Sequence, residues 1–320
     1  MDDRGLRYRI ITSSVTSIVA LAVAIILWLA SGNTASLNSW GGLAVTITVA
    51  YILLEMNTRN ALLRVRSKMV SSTFLVLAGT LTFLHPLSYD YMPEVCWAAA
   101  LMVFFMCYQK HLPQAYMFHV FLFLSIGAIV FPKMLLFAPF FMFSAIVQMR
   151  AFTPRAFMAA LIGIILPLAL REAYLILTGE STMLYGFWER LTRFTQPDYT
   201  VIDERRLVSF ATVAILAISA MVHFAYTKFN DKIRTRMLYY TILIEELAIT
   251  AMLAACPGEF DTIIRLFVLN STPLIAHHLA FAGGKAGNIY FYTAIALIGL
   301  LAAYNISGIN FGLWEILRNI

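Results

Sequence analysis

Charge is what this 320-residue chain has least of: 12% of its residues are Asp, Glu, Lys or Arg and 61% are hydrophobic, against about 25% and about 45–50% in an average soluble domain. A water-soluble fold cannot cover that much apolar surface. Linkers are missing too, since no Ser/Gly-rich or low-complexity tract interrupts the chain, so residues 1–320 read as a single integral membrane domain. Cysteine is rare, and Cys96, Cys107 and Cys256 have no metal-ligand spacing. Cys96 and Cys256 fall near one face and admit a disulfide, but lone buried thiols are the plainer reading. A Walker A loop, a His-Glu-x-x-His helix and a nucleophile elbow are all lacking, which removes the enzyme classes that those motifs mark.

What the chain does have is a succession of apolar stretches of about 16–23 residues, each close to the ~20 that cross ~30 Å of hydrocarbon. They fall at 10–31, 41–56, 69–85, 93–108, 114–130, 134–149, 157–178, 207–227, 237–255, 260–282 and 289–304. The expected fold is therefore an all-α polytopic transmembrane bundle of 10–11 spans. A β-barrel would alternate apolar and polar residues in ~10-residue segments, and these runs are continuous. The first run is too long for a cleaved signal peptide and is followed by more spans, so the N-terminus is expected to stay attached. Short connections such as "FPK", "CPGEFD" and "GGKAGN" make sequence neighbours antiparallel hairpins.

Of the 23 Lys and Arg residues, 15 fall in connections on the N-terminal side of the spans and 6 on the opposite side. The positive-inside rule then puts the N-terminus in the cytoplasm and, with an odd number of spans, the C-terminus outside. The net charge of +6 is thus a topology signal that suits anionic headgroups and gives no support to nucleic-acid binding. One outer connection is long, 179–206, "GESTMLYGFWERLTRFTQPDYTVIDERR". Within it Leu184, Phe187, Trp188, Leu191 and Phe194 recur at helical spacing while Glu189, Arg190 and Arg193 fall on the rest of the wheel. This predicts a periplasmic interfacial helix over about 181–195, or one that merely caps the bundle.

Ionisable groups inside spans cost roughly 2.5–3.5 kcal/mol each and normally turn inward to a partner. Glu245 and Glu246 stand side by side in "LIEELAIT", and adjacent helical residues point ~100° apart, so one of the two at most faces a given cavity. If the hairpin after this run turns at Pro257–Gly258, Glu246 comes level with Asn270, and Arg265 lies about 6 Å nearer the outside. A network of Glu245 or Glu246 with Arg265 and Asn270 follows, with an i,i+4 pair of Arg265 and Asp261 as the alternative. Pro273 and Pro167 each free a backbone carbonyl within a span, and Arg171–Glu172 lie near the outer end of the seventh run. Together these residues predict an outward-facing cavity lined by Arg171, Glu172, Arg190, Arg193, Arg265 and Asn270, with Glu245 and Glu246 as candidate general bases. Guanidinium groups hold phosphate bidentately, which suits an amphiphilic anion. His119, His223, His277 and His278 read as satisfied or interfacial histidines with no metal implied. Glu55 and Asn57 close the second run beside Arg59, where a local ion pair is sufficient.

The stretch "RVRS" before the third run, "FPKMLLFAPF" followed by "RAFTPR" and Pro167, and "LIAHHLAF" near the end resemble a family of multi-pass bacterial inner-membrane proteins of unassigned function. The resemblance covers about half of the chain. It implies a helical fold and an inner-membrane location and no activity. Polytopic glycosyltransferases that use lipid-linked donors offer a second comparison, since many carry a catalytic acid in the first outer loop. Here that loop, "SGNTASLNS", has no acid, and the second, "YDYMPE", supplies Asp90 and Glu94.

The functional expectation is a membrane protein that contacts lipid and binds, transfers or moves a lipid-linked anionic substrate of polyprenyl-phosphate or glycolipid type, without a cofactor. A non-catalytic subunit of an envelope complex, with a protein partner, is the first alternative. A proton-coupled secondary transporter is the second, because intramembrane acids relay protons.

Overall fold

The computed structural model describes residues 6–13, 15–32, 37–179, 181–194, 196–309 and 312. It is all-helical, 83% helix with no strand among the described residues. The helices are α1 (Leu6–Thr12), α2 (Thr16–Ala30), α3 (Leu37–Asn60), α4 (Met69–Thr80), α5 (Tyr91–Phe105), α6 (Gln114–Val130), α7 (Ala138–Val147), α8 (Pro154–Thr178), α9 (Ser181–Thr192), α10 (Glu204–Thr227), α11 (Ile233–Ala255), α12 (Phe260–Phe281) and α13 (Gly284–Ser307). Six of them, α3, α8 and α10–α13, are long and apolar enough to cross a membrane. Helices α2, α4, α5, α6 and the 132–147 segment are apolar but shorter, at 10–17 residues. Every apolar run of the sequence thus became a helix, and five of the eleven stop short of a full crossing. The loop containing Asn33–Ser36, in which no acid was found, and both chain termini lie outside the described residues, as does the C-terminal side assigned from charge.

The chain groups into two compact units interleaved along its length: 1–88, 198–231 and 271–320 in the first, 89–197 and 232–270 in the second. The division falls within α12, between Asn270 and Ser271, just ahead of Pro273, through which the helix continues.

In the first unit α4 packs against α2, α3 and α13, and α10 against α13. Helix α4 has only 12 residues, so its last carbonyls end inside the protein and need donors. Asn305 of α13 supplies one, its Nδ2 donating to Thr80 O at 2.8 Å and to Ser209 Oγ of α10 at 3.1 Å. The His85 ring meets Gly79 O at 3.1 Å while stacking on Trp28 of α2 at 3.5 Å. Trp28 Nε1 in turn donates to Ser39 O at 3.0 Å. The short helix is therefore closed by side chains where a longer one would have continued its own ladder.

In the second unit α6 packs closely on α5 and α8. Gly163 of α8 allows that approach, since a Cβ there would lie 2.5 Å from Phe118 O and 3.0 Å from Leu122 N of α6. Close backbone contact at small residues is how helices associate where no hydrophobic force separates them from lipid. Ser125 of α6 donates to Ile164 O at 2.7 Å, one residue beyond the carbonyl that Pro167 frees. Trp97 of α5 meets Phe137 and Phe141 edge-on at 5.0 and 5.3 Å. Helix α9 docks on α8 and on the 132–137 turn, with Phe187 fully buried, Trp188 exposed and Lys133 over the ring of Phe194. It ends at Thr192, three residues before the sequence-based bound. Leu184, counted on its apolar face, lies outside the described side chains. The three cysteines are all free and buried.

Replacing Gly163 with Ala is expected to lower the thermal unfolding midpoint in mild detergent, because overpacking against backbone costs about 1–3 kcal/mol. Gly299→Ala on α13, where a Cβ meets nothing within 4 Å, should leave the midpoint unchanged or slightly higher. An unaffected Gly163→Ala protein would mean that α6 and α8 do not approach this closely.

Candidate functional site

The second unit holds most of the ionisable groups that the sequence singled out, and it distributes them in pairs. Helix α5 begins at Tyr91, after the acidic turn residue Asp90, and Glu94 in its first turn is 4% exposed. Arg265 of α12 donates from Nη1 to Glu94 Oε2 at 3.3 Å, and its guanidinium lies 3.7 Å from the centroid of the Tyr91 ring. Thr262, one turn earlier on α12, donates to Asp90 Oδ1 at 2.7 Å. Charge pairing and a cation–π contact thus seat Arg265 in the start of α5. That partner was absent from the sequence-based reckoning, which considered only the neighbouring hairpin.

Glu246 of α11 receives 2.7 Å from Asn270 Nδ2, and the same amide donates to Ile242 O at 2.9 Å. These are the two residues that the turn at 257–258 sets level. Glu246 Oε1 has no hydrogen-bond partner among the described residues. Glu245 is 0% exposed, and neither of its carboxylate oxygens has a hydrogen-bond partner among the described residues. A buried carboxyl with no donor and no counter-ion is the least satisfied kind of group a protein interior contains.

The remaining candidates are committed locally. Arg171 bonds Glu172, its neighbour on α8, at 2.5 Å and lies over the Phe187 ring of α9 at 4.8 Å. Arg193 pairs with Glu189 at 2.8 Å on the exposed side of α9. Exposed Arg190 reaches Gly186 O at 3.4 Å. The ion pairs therefore trace separate contacts, with each of Arg171, Arg193 and Arg265 holding a carboxylate of its own, where the sequence suggested one anion-binding cluster. At the end of α3, Glu55 and Arg59 form the expected local pair at 2.9 Å.

A second polar cluster, in the first unit, joins histidines that looked isolated in the sequence. His277 Nε2 meets Asp231 Oδ2 at 3.0 Å, both side chains fully buried, and Arg64 Nε meets Asp231 Oδ1 at 2.8 Å. His223 of α10 stacks on His278 at 4.2 Å, and His278 stacks on Tyr290 of α13 at 3.5 Å. Tyr290 shares a hydrogen bond with Ser219 at 3.1 Å. The available signal was Asp231 in the five-residue stretch between α10 and α11, at the chain level of His223 and His277. Among the described residues no three His, Cys, Asp or Glu side chains converge as a metal ion would need.

Comparisons with protein-family models, with curated proteins and with solved structures each return no match.

The Glu94–Arg265 pair yields a double-mutant prediction. Arg265→Met leaves a buried carboxylate without its cation and is expected to cost about 3–5 kcal/mol, whereas the apolar pair Glu94→Leu with Arg265→Met recovers most of that loss. Equilibrium unfolding of the single and double variants in detergent measures the coupling. Additive effects would mean that the two charges do not depend on each other.

Proposed function

We propose that this is a multi-pass membrane protein whose second unit houses a proton-handling acidic site, used to move or transfer a substrate across or within the bilayer. The observation that carries this reading is Glu245, fully buried on an apolar helix with no hydrogen-bond partner for either oxygen among the described residues. Beside it Glu246 has, among the described residues, a donor on one oxygen alone. Intramembrane acids are costly unless paired, and those that persist unpaired mark ion and proton pathways. A proton relieves Glu245 without any movement of the protein, and its departure creates a charge that the surroundings must then accommodate. That differential is what couples a proton to a conformational change. A proton-coupled secondary transporter is the function class that this arrangement supports best.

A second reading has its own support. The amphipathic helix α9, with Phe187 buried, Trp188 exposed and Arg190 and Arg193 exposed, has the composition of an interface-lying helix that meets anionic lipid. In that reading the protein handles a lipid-linked anionic substrate from the periplasmic side of a bacterial inner membrane, with the N-terminus cytoplasmic, and Glu245 or Glu246 serves as general base. The third reading, a subunit of an envelope complex, assigns the vacant bonds of Glu245 to a partner's helix.

Three measurements separate these. In proteoliposomes, pH-difference infrared spectra should show a carboxylic C=O band of a weakly hydrogen-bonded acid that disappears in Glu245→Gln. Glu245→Leu should raise the unfolding free energy by about 1–3 kcal/mol, for removing an unsatisfied buried polar group, while abolishing proton-coupled activity. A Glu245→Leu protein that is less stable than the parent would show that the carboxyl has a partner and defeat the proton reading. For the second reading, native mass spectrometry from nanodiscs should find a stoichiometric polyprenyl-phosphate or glycolipid that is lost in Arg190→Ala/Arg193→Ala; a stoichiometric protein instead would point to the complex.

A further inference from the structure

Outside the acidic site, a cavity of about 730 Å³ opens in the first unit between the end of α1, the end of α3 and the 61–68 connection. Its wall includes Ser13, Glu55, Asn57, Arg64, Arg66 and Lys68. The charges on that wall do not balance. Glu55 is held by Arg59 at 2.9 Å, and Arg64 by the buried carboxylate of Asp231 at 2.8 Å. Arg66 and Lys68 have no carboxylate partner among the described residues, so two cations face the cavity uncompensated.

The connection that carries them is held in place. Asn57 Nδ2 donates to Ser67 O at 2.8 Å and Asn57 Oδ1 accepts from Leu63 N at 3.2 Å. Ser67 Oγ donates to Ile11 O at 2.5 Å and accepts from Met69 N at 3.2 Å. Ala61, at φ 49°, turns the chain sharply just past α3. Lys68 stands at the N-cap of α4, whose first N–H, that of Met69, is taken by Ser67 Oγ. A fixed loop carrying two cations with no carboxylate partner among the described residues suits a tetrahedral oxyanion, with little ordering cost on binding.

We propose that this cavity binds a phosphate group, with Arg66 and Lys68 as its charged ligands. The volume exceeds that of bare phosphate and falls within the range of small-ligand pockets, so the phosphate carries an attached group. That group is either the glycerol of an anionic lipid headgroup or a soluble organic residue. The site is independent of the acidic site proposed above and stands if that reading fails.

The test uses the full-length protein in nanodiscs. One arm compares retention of phosphatidate and phosphatidylglycerol against phosphatidylcholine by native mass spectrometry. The other titrates glycerol 3-phosphate and inorganic phosphate by calorimetry in purely zwitterionic discs. Arg66→Gln/Lys68→Gln is expected to weaken the occupant's binding at least tenfold while the unfolding midpoint stays unchanged. A control pair of equal charge loss, Lys110→Gln/Arg155→Gln, should leave binding intact. If the doubly substituted protein is unstable, Arg66→Gln alone gives the smaller expected loss. Selective retention of the anionic lipids identifies a lipid site, and binding of glycerol 3-phosphate in zwitterionic discs identifies a soluble one. No binding in either arm, or an equal loss in the control pair, overturns the proposal.

Discussion

An ionisable or amide side chain within an apolar bilayer must find its partner inside the protein, and α12 concentrates that demand. It carries Arg265, Asn270, Ser271, Thr272, His277 and His278, all buried, and 94% of its apolar window is buried, against 28% for α8. A helix with that polar load cannot face lipid. The partners come from three different segments: Glu94 of α5 for Arg265, Glu246 of the preceding helix α11 for Asn270, and Asp231 of the α10–α11 connection for His277. Helices without such groups, α8 above all, are left to meet the apolar surroundings with Ile162, Ile165 and Leu170 exposed.

The same constraint makes Glu245 stand apart. Three of the four arginines suspected of binding substrate have a carboxylate close by, and their carboxylates are thereby accounted for. Glu245 has no such partner among the described residues. A stable packing solution for that position is an aliphatic side chain, and an acid there opposes stability. Residues that break local rules without compensation in the fold concentrate at functional positions, which is why the functional reading rests on this residue and not on the arginines.

The two units treat charge in opposite ways. In the second, acids outnumber the cation buried with them, around α5, α11 and α12. In the first, the cations of the 61–68 connection outnumber the acids, and a hydrogen-bonded loop holds them in place. Between those extremes, the chain of Ser219, Tyr290, His278, His223, His277 and Asp231 ends at Arg64, which also lines the basic cavity. Arg64 is thus shared by the histidine cluster and the candidate phosphate site.

Composition and the length of apolar runs were sufficient for the helical membrane class and for the position of nearly every helix, because crossing hydrocarbon demands a continuous apolar stretch whatever the tertiary arrangement. The depth match of Glu246 and Asn270 was legible for a similar reason: one tight turn relates two adjacent helices residue by residue. The termination of α4 after 12 residues was not legible, since it depends on Asn305 and His85 supplying donors from elsewhere in the chain. Nor were the pairing of Arg265 with Glu94 and the assembly of the histidines. Helices that are apolar on every face carry no periodic record of which side turns inward, so rotation about each axis, and with it every contact between non-adjacent helices, was decided only when the tertiary structure matched buried donors to buried acceptors.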